Sequence, residues 1–117
     1  MNAKIKYDYE TDILSFTPAK RNYASSIQEK NFIFDLDREN KIAGFEMLQA
    51  SVALDMPKIF LKNIKSLKGK IEVENETIKV NLSIKCIIRN SDKSGVYSLE
   101  KKKPEFMEPS QIDLAQA

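Results

Sequence analysis

Between Ile78 and Ile88 the sequence leaves its backbone little choice. Ile78, Val80, Leu82, Ile84, Cys86 and Ile88 recur at every second position, separated by Lys79, Asn81, Ser83 and Lys85. Only Ile87 breaks the alternation. Period two places all six apolar side chains on one face of a strand and the polar ones on the other. A helix would scatter them around its circumference. The stretch is therefore a long β-strand with one buried and one wet face, which is the habit of an antiparallel sheet.

The rest of the chain reads as elements that can join such a sheet. Lys4 to Tyr7 and Ile13 to Thr17 form strands around an acidic turn, and Pro18 stops the second. Residues 19–24 read as a loop. Ser25 to Asp37 holds one or two strands, with Phe32, Phe34 and Leu36 on one face. A turn at Asp37 to Lys41 leads to a return strand, Ile42 to Leu48. This is a meander of antiparallel hairpins. Ile71 and Val73 begin a further hairpin, and Val96 to Leu99 is its last strand after a polar turn at Asn90 to Gly95.

One helix is expected at about 56–68. Asp55 is placed to cap it, Pro57 falls in the first turn, and Phe60, Leu61, Ile64 and Leu67 recur at helical spacing. Gly69 follows as a left-handed stop. The fold class expected is α+β: an antiparallel sheet with this helix packed on one face. Residues 1–100 form the single domain, with a meander at 4–54 and a helix-plus-hairpin extension at 55–100. Residues 101–117, rich in Pro, Gln and Glu, read as a disordered tail. Within it, Ser110 to Leu114 could form one capped turn.

Composition narrows the chemistry. The 117 residues include no histidine and one cysteine. Histidine acid–base catalysis, a Cys–His dyad, a Ser–His–Asp triad and a Cys/His zinc site are excluded within one chain. A lone cysteine makes no intrachain disulfide. With no signal-like start and no apolar run long enough to span a bilayer, the cytoplasm is the expected compartment and no membrane is involved. Up to residue 57 there are seven basic and nine acidic side chains, and beyond it twelve and eight. The formal charge of +2 thus conceals halves of −2 and +4.

At residues 4–54 the chain resembles a known family. The run Lys4-Ile5-Lys6-Tyr7-Asp8-Tyr9-Glu10-Thr11-Asp12-Ile13-Leu14 is similar to that family's opening strand, acidic turn and second strand. The run from Asp35 to Ser51, Asp-Leu-Asp-Arg-Glu-Asn-Lys-Ile-Ala-Gly-Phe-Glu-Met-Leu-Gln-Ala-Ser, is similar to its closing hairpin. The family is the prokaryotic domain of unknown function 2283. Asn40 stands where a glycine is usual, and short members end soon after Ser51. The resemblance implies a small β-meander often encoded beside toxin-like genes. It supplies no catalytic residue.

Four groups of residues invite a functional reading. Asp35, Asp37, Glu39, Lys41, Ala43 and Glu46 stand at the ligand positions of an EF-hand-like loop. Asn40 replaces its required glycine, and strands replace its flanking helices. Asp8, Glu10 and Asp12 could complete an acidic rim for a divalent cation if the two turns adjoin, although Asp-rich turns ordinarily satisfy their own backbone N–H groups. Lys58, Lys62, Lys65 and Lys68, with Lys70, could track a phosphate backbone. Phe106, Met107, Ile112 and Leu114 in the tail could order on a partner. Cys86, in register with the apolar face, reads as a core residue rather than a reactive thiol.

The function expected is that of a non-enzymatic protein-interaction module with no catalytic residues and no cofactor. It forms a homodimer, because strand pairing would finish its core and cover its edges. An antitoxin-like role toward a toxin-like protein is implied by the resemblance. Nucleic-acid binding through the lysines and cation binding through the acidic turns stay open as alternatives.

Overall fold

A computed structural model describes residues 3–18 and 24–116. They form nine strands and two helical turns: β1 (Ala3–Asp8), β2 (Ile13–Pro18), β3 (Ser25–Glu29), β4 (Phe32–Leu36), β5 (Ile42–Met47), α1 (Ala50–Ala53), α2 (Lys58–Leu61), β6 (Ile64–Val73), β7 (Thr77–Ile88), β8 (Ser91–Lys102) and β9 (Ser110–Gln116). The strands build two sheets, ordered β1-β2-β5-β4-β3 and β8-β7-β6-β9. Every pairing is antiparallel.

The two sheets bury their apolar faces against each other. Leu14, Phe16, Phe32, Phe34, Phe45 and Met47 come from the first sheet, and Leu67, Ile71, Val80, Leu82, Ile84 and Cys86 from the second. All belong to one continuous core. The run at 78–88 is β7, as its alternation requires, and Ile78, Val80, Leu82, Ile84 and Cys86 are buried. Phe32 stacks against Phe34 and meets Tyr97 of β8 with ring centroids 5.3 Å apart. Lys101 of β8 reaches Glu29 of β3 at 2.8 Å. β8 therefore lies over the β3–β4 side of the first sheet. The second sheet has the longer strands. Leu54, Met56 and Leu61 of the α1–α2 segment add to the core where Gly95 approaches the Leu54 carbonyl.

The 56–68 helix is not formed. Only Lys58–Leu61 is helical, Asp55 makes no side-chain cap, and Ile64 opens β6. The misleading signal has a physical origin. Ile64 and Leu67 are three residues apart, which on a regular strand would put them on opposite faces. The pairing with β7 shifts between Ile64 and Ser66, so that Ile64 faces Cys86 and Leu67 faces Ile84. A bulge thus turns both toward the core and imitates helical spacing. Gly69 is mid-strand and has no positive φ. The molecule is sheet-dominated, and α+β holds only in the loosest sense.

The disordered tail is likewise corrected. Lys101 and Lys102 complete β8, and Ser110–Gln116 is β9, paired with β6 from Val73↔Ser110 to Leu67↔Gln116. No capped helical turn forms at Ser110. Ile112 and Leu114 alternate into the core and, with Met107, supply the apolar surface that composition hid. The polar turn expected at Asn90 to Gly95 is shorter. Ile88 pairs with Ser91, leaving Arg89-Asn90 as a two-residue turn with φ of 47° and 65°. Two positive φ values are the geometry that suits the twist of a tight hairpin. Among the described residues, no helix is long and apolar enough to cross a membrane.

Candidate functional site

The two acidic turns do not adjoin. β2 and β5 are antiparallel neighbours, so the turn before β2 lies beside the end of β5, and the turn before β5 lies beside the end of β2. The turns occupy opposite ends of the first sheet, and no common rim exists. Their carboxylates serve the backbone. Asp8 accepts from the N–H groups of Glu10 at 3.0 Å and Thr11 at 3.4 Å. Asp37 accepts from Glu39 at 2.8 Å and Lys41 at 3.0 Å. Asn40 takes the left-handed φ of 62° that a glycine would otherwise supply. Asp35 lies within β4, 5% exposed, and accepts from Ser26 Oγ. Glu39 and Glu10 are exposed. Among the described residues, no three Asp, Glu or Cys side chains converge as a metal site.

Asp12 is held through both of its carboxylate oxygens. Tyr7 Oη donates to Oδ1 at 2.6 Å, Ser51 N–H to the same oxygen at 3.0 Å, and Ser51 Oγ to Oδ2 at 2.6 Å. The Asp12 carbonyl also accepts from the Ala50 N–H. Desolvation pushes the carboxyl up, but the Ser51 and Tyr7 hydrogen bonds and the Lys58 charge outweigh it and hold Asp12 below its ordinary value. Burial and the Asp12 carboxylate push the Tyr7 phenol well up. The cluster locks the β1–β2 turn onto α1. The Ser51 hydroxyl is thus committed to a carboxylate acceptor.

The lysines do not share a helix face. Lys58 opens α2 and Lys62 is its C-cap, and they lie 5.0 and 4.9 Å from the Tyr9 ring centroid. Lys65 and Lys68 are exposed on β6. Of the four apolar tail residues, Met107, Ile112 and Leu114 are core and Phe106 is 51% exposed. Cys86 is 0% exposed, and burial pushes its thiol up, away from the reactive thiolate.

What stands open is an edge. β8 runs twelve residues and pairs with β7 without a register shift from Ser91 to Lys102. It closes one side of the second sheet, and its other edge pairs with no strand among the described residues. β8 contains no proline. Val96, on its outer face, is 74% exposed. Sequence reading missed this edge because it began the strand at Val96. The Arg89-Asn90 turn was the signal that would have revealed its full length.

The family model described as "Protein of unknown function (DUF2283)" matches residues 4–51. These residues cover the first sheet and the start of α1. A protein of Methanosarcina mazei, named "Putative hypoxanthine phosphoribosyltransferase", is 33% identical over 87 residues, covering 74% of this chain and 71% of that one. The chain belongs to the DUF2283 family. An uncharacterized protein of Methanocaldococcus jannaschii is 26% identical over 93 residues, covering 79% of this chain and 80% of its own. Both alignments are longer than the 48 residues of the family match, so each reaches past the DUF2283 segment or its loops into further chain. No solved structure matches. In this DUF2283 protein the face of the family segment is covered by residues 64–116 of the same chain.

Proposed function

We propose that the chain is a non-enzymatic protein-interaction module that self-associates through a sheet edge. One observation carries this reading: the long, regular β8 at the side of the second sheet, whose outer edge pairs with no strand among the described residues. Natural edge strands are usually short, bulged, proline-marked, charged or covered, because a free edge is a template for another strand. The charges of β8 gather at its two ends and leave Ser94 to Leu99 uncharged. β8 has no bulge and no proline. Dimerisation is not required to finish the core, since the second sheet already covers the first. Association is therefore an edge property.

The carboxylates, thiol and hydroxyl that could do chemistry carry structural duties, and this favours a non-enzymatic role. The acidic groups cap turns, Cys86 is buried and Ser51 is tied to Asp12. The name of the Methanosarcina relative suggests phosphoribosyl transfer, a chemistry that needs a cradle for phosphates. Such cradles are ordinarily glycine-rich loops or helix N-termini. Here Gly44, Gly69 and Gly95 all lie within strands, and each helical segment has four residues. That activity is not carried to this chain. A toxin-like protein would use the same edge by adding a strand to it.

Light scattering across a micromolar concentration series tests the proposal. A dimer that dissociates on dilution is the expected result. A chain that stays monomeric throughout, and recovers no companion from its own cell extract, removes the reading.

A further inference from the structure

We infer that the occupant of the β8 edge is a second copy of this chain, paired antiparallel about a two-fold axis at Tyr97. The inference rests on the self-association reading above and adds the register. Gly95, Tyr97, Leu99 and Lys101 pair with Ile84, Leu82, Val80 and Ile78, so the odd-numbered residues of β8 face the core side. The even-numbered residues face outward. In a two-fold pairing that keeps both core faces on one side, opposite residues must share a face. The axis must then pass through a residue and not between two.

Two registers overlap the strand most fully. An axis at Val96 pairs residues 91–101 with their symmetry mates, and an axis at Tyr97 pairs residues 92–102. Charge separates them. The first sets Asp92 opposite the partner's Glu100, twice by symmetry. The second sets Asp92 opposite the partner's Lys102, also twice. Opposite charges across a strand pair stabilise it and like charges oppose it. The Tyr97 register also sets Val96 opposite the partner's Ser98 and Leu99 over the partner's Gly95, where no side chain stands in its way. Its like-charge approach is Lys93 to the partner's Lys101, which also occurs twice. Both cations are already engaged, Lys101 with Glu29 at 2.8 Å and Lys93 over the Phe60 ring at 5.8 Å. Asp92 already pairs with Lys85 at 3.3 Å, so the partner's Lys102 would share that carboxylate. The product is a continuous eight-stranded sheet in which neither β8 edge remains open. A foreign strand has no reason to match this pattern of charge, whereas a symmetric copy sets Asp92 against Lys102 at the Tyr97 axis.

The experiment measures dimer dissociation for Asp92→Lys, Lys102→Asp and the double variant. Asp92 and Lys102 are both exposed, and thermal melts check that each variant folds. Each single change should weaken the dimer about tenfold, because two attractive pairs become repulsive, and the double variant should restore it. In the same register Val96→Cys should cross-link with Ser98→Cys when the two variants are mixed, and Val96→Cys should not cross-link with itself. A dimer indifferent to the single changes overturns this edge while leaving self-association standing. A wild-type chain that is monomeric overturns both. Self-cross-linking of Val96→Cys overturns the Tyr97 axis.

Discussion

Asp12 occupies a left-handed turn position at φ 57° and accepts three hydrogen bonds there. Removing the carboxylate leaves the partly buried Tyr7 hydroxyl and the Ser51 N–H without their acceptor. At roughly 1 kcal/mol per bond in a partly exposed site, Asp12→Ala should cost about 3 kcal/mol in urea denaturation, and Ser51→Ala about 1 kcal/mol. The pH dependence has a definite sign. The folded pKa of Asp12 lies below the ordinary 3.8, so the unfolded chain takes up the proton first on acidification. The network's contribution is therefore complete above pH 3.8 and is lost as the pH falls toward the folded value. Tyr7 acts at the other limb. Its folded pKa is raised, so its contribution is complete below the ordinary 10.0 and fades as the pH rises through it. Ser51→Ala should flatten the acid limb of a stability-against-pH series, and Tyr7→Phe the alkaline limb. The acidic residues were visible in the sequence. Their partner was not, because Ser51 lies 39 residues from Asp12 and only the β2–β5 pairing brings them together.

At the scale of elements, two strands depend on single residues. Gly69 lies in β6 where a Cβ would come within 2.6 Å of the Asn81 carbonyl oxygen and of Leu82 Cδ2. Since the oxygen belongs to the ladder, Gly69→Ala should force the β6–β7 pair apart and cost about 2 kcal/mol or more, read from the thermal melt. Lys103 directs the connection from β8 to β9. Its Nζ donates to the carbonyls of Met107 at 2.6 Å, Pro104 at 3.0 Å and Glu105 at 3.4 Å. The loop so held inserts Met107 into the core and aims β9 at β6. Lys103→Met keeps the stem and removes the donors, and should cost about 1–2 kcal/mol. The strands with clean alternation, β7 above all, could be read directly, as could the hairpins around the acidic turns. β6 could not, because its bulge imitates a helix. β9 could not, because the polar residues around Ile112 and Leu114 obscure an alternation that only β6 makes worthwhile.

The molecule as a whole is elongated, 45 × 26 × 23 Å, and its two sheets share one core. They should therefore unfold together: far-ultraviolet circular dichroism and Tyr fluorescence should follow one coincident transition, since neither sheet has an interior of its own. The Glu29–Lys101 pair joins the sheets across partly buried positions, and a double-mutant cycle should return a coupling of about 1 kcal/mol. Which sheet faces which was not legible, because face-to-face packing leaves no periodic trace in the chain.

The position of β6 bears on the order in which this molecule can be assembled. One neighbour, β7, arrives after a turn of three residues, but the other arrives far later, since even Val73 and Ser110 stand 37 residues apart. A hairpin closes a short loop and β9 a long one, so the distant encounter should slow folding. In the interval β6 offers an apolar, unpaired edge to any nascent or refolding neighbour. Recovery of native protein from denaturant should accordingly fall as chain concentration rises, even where the finished fold is secure.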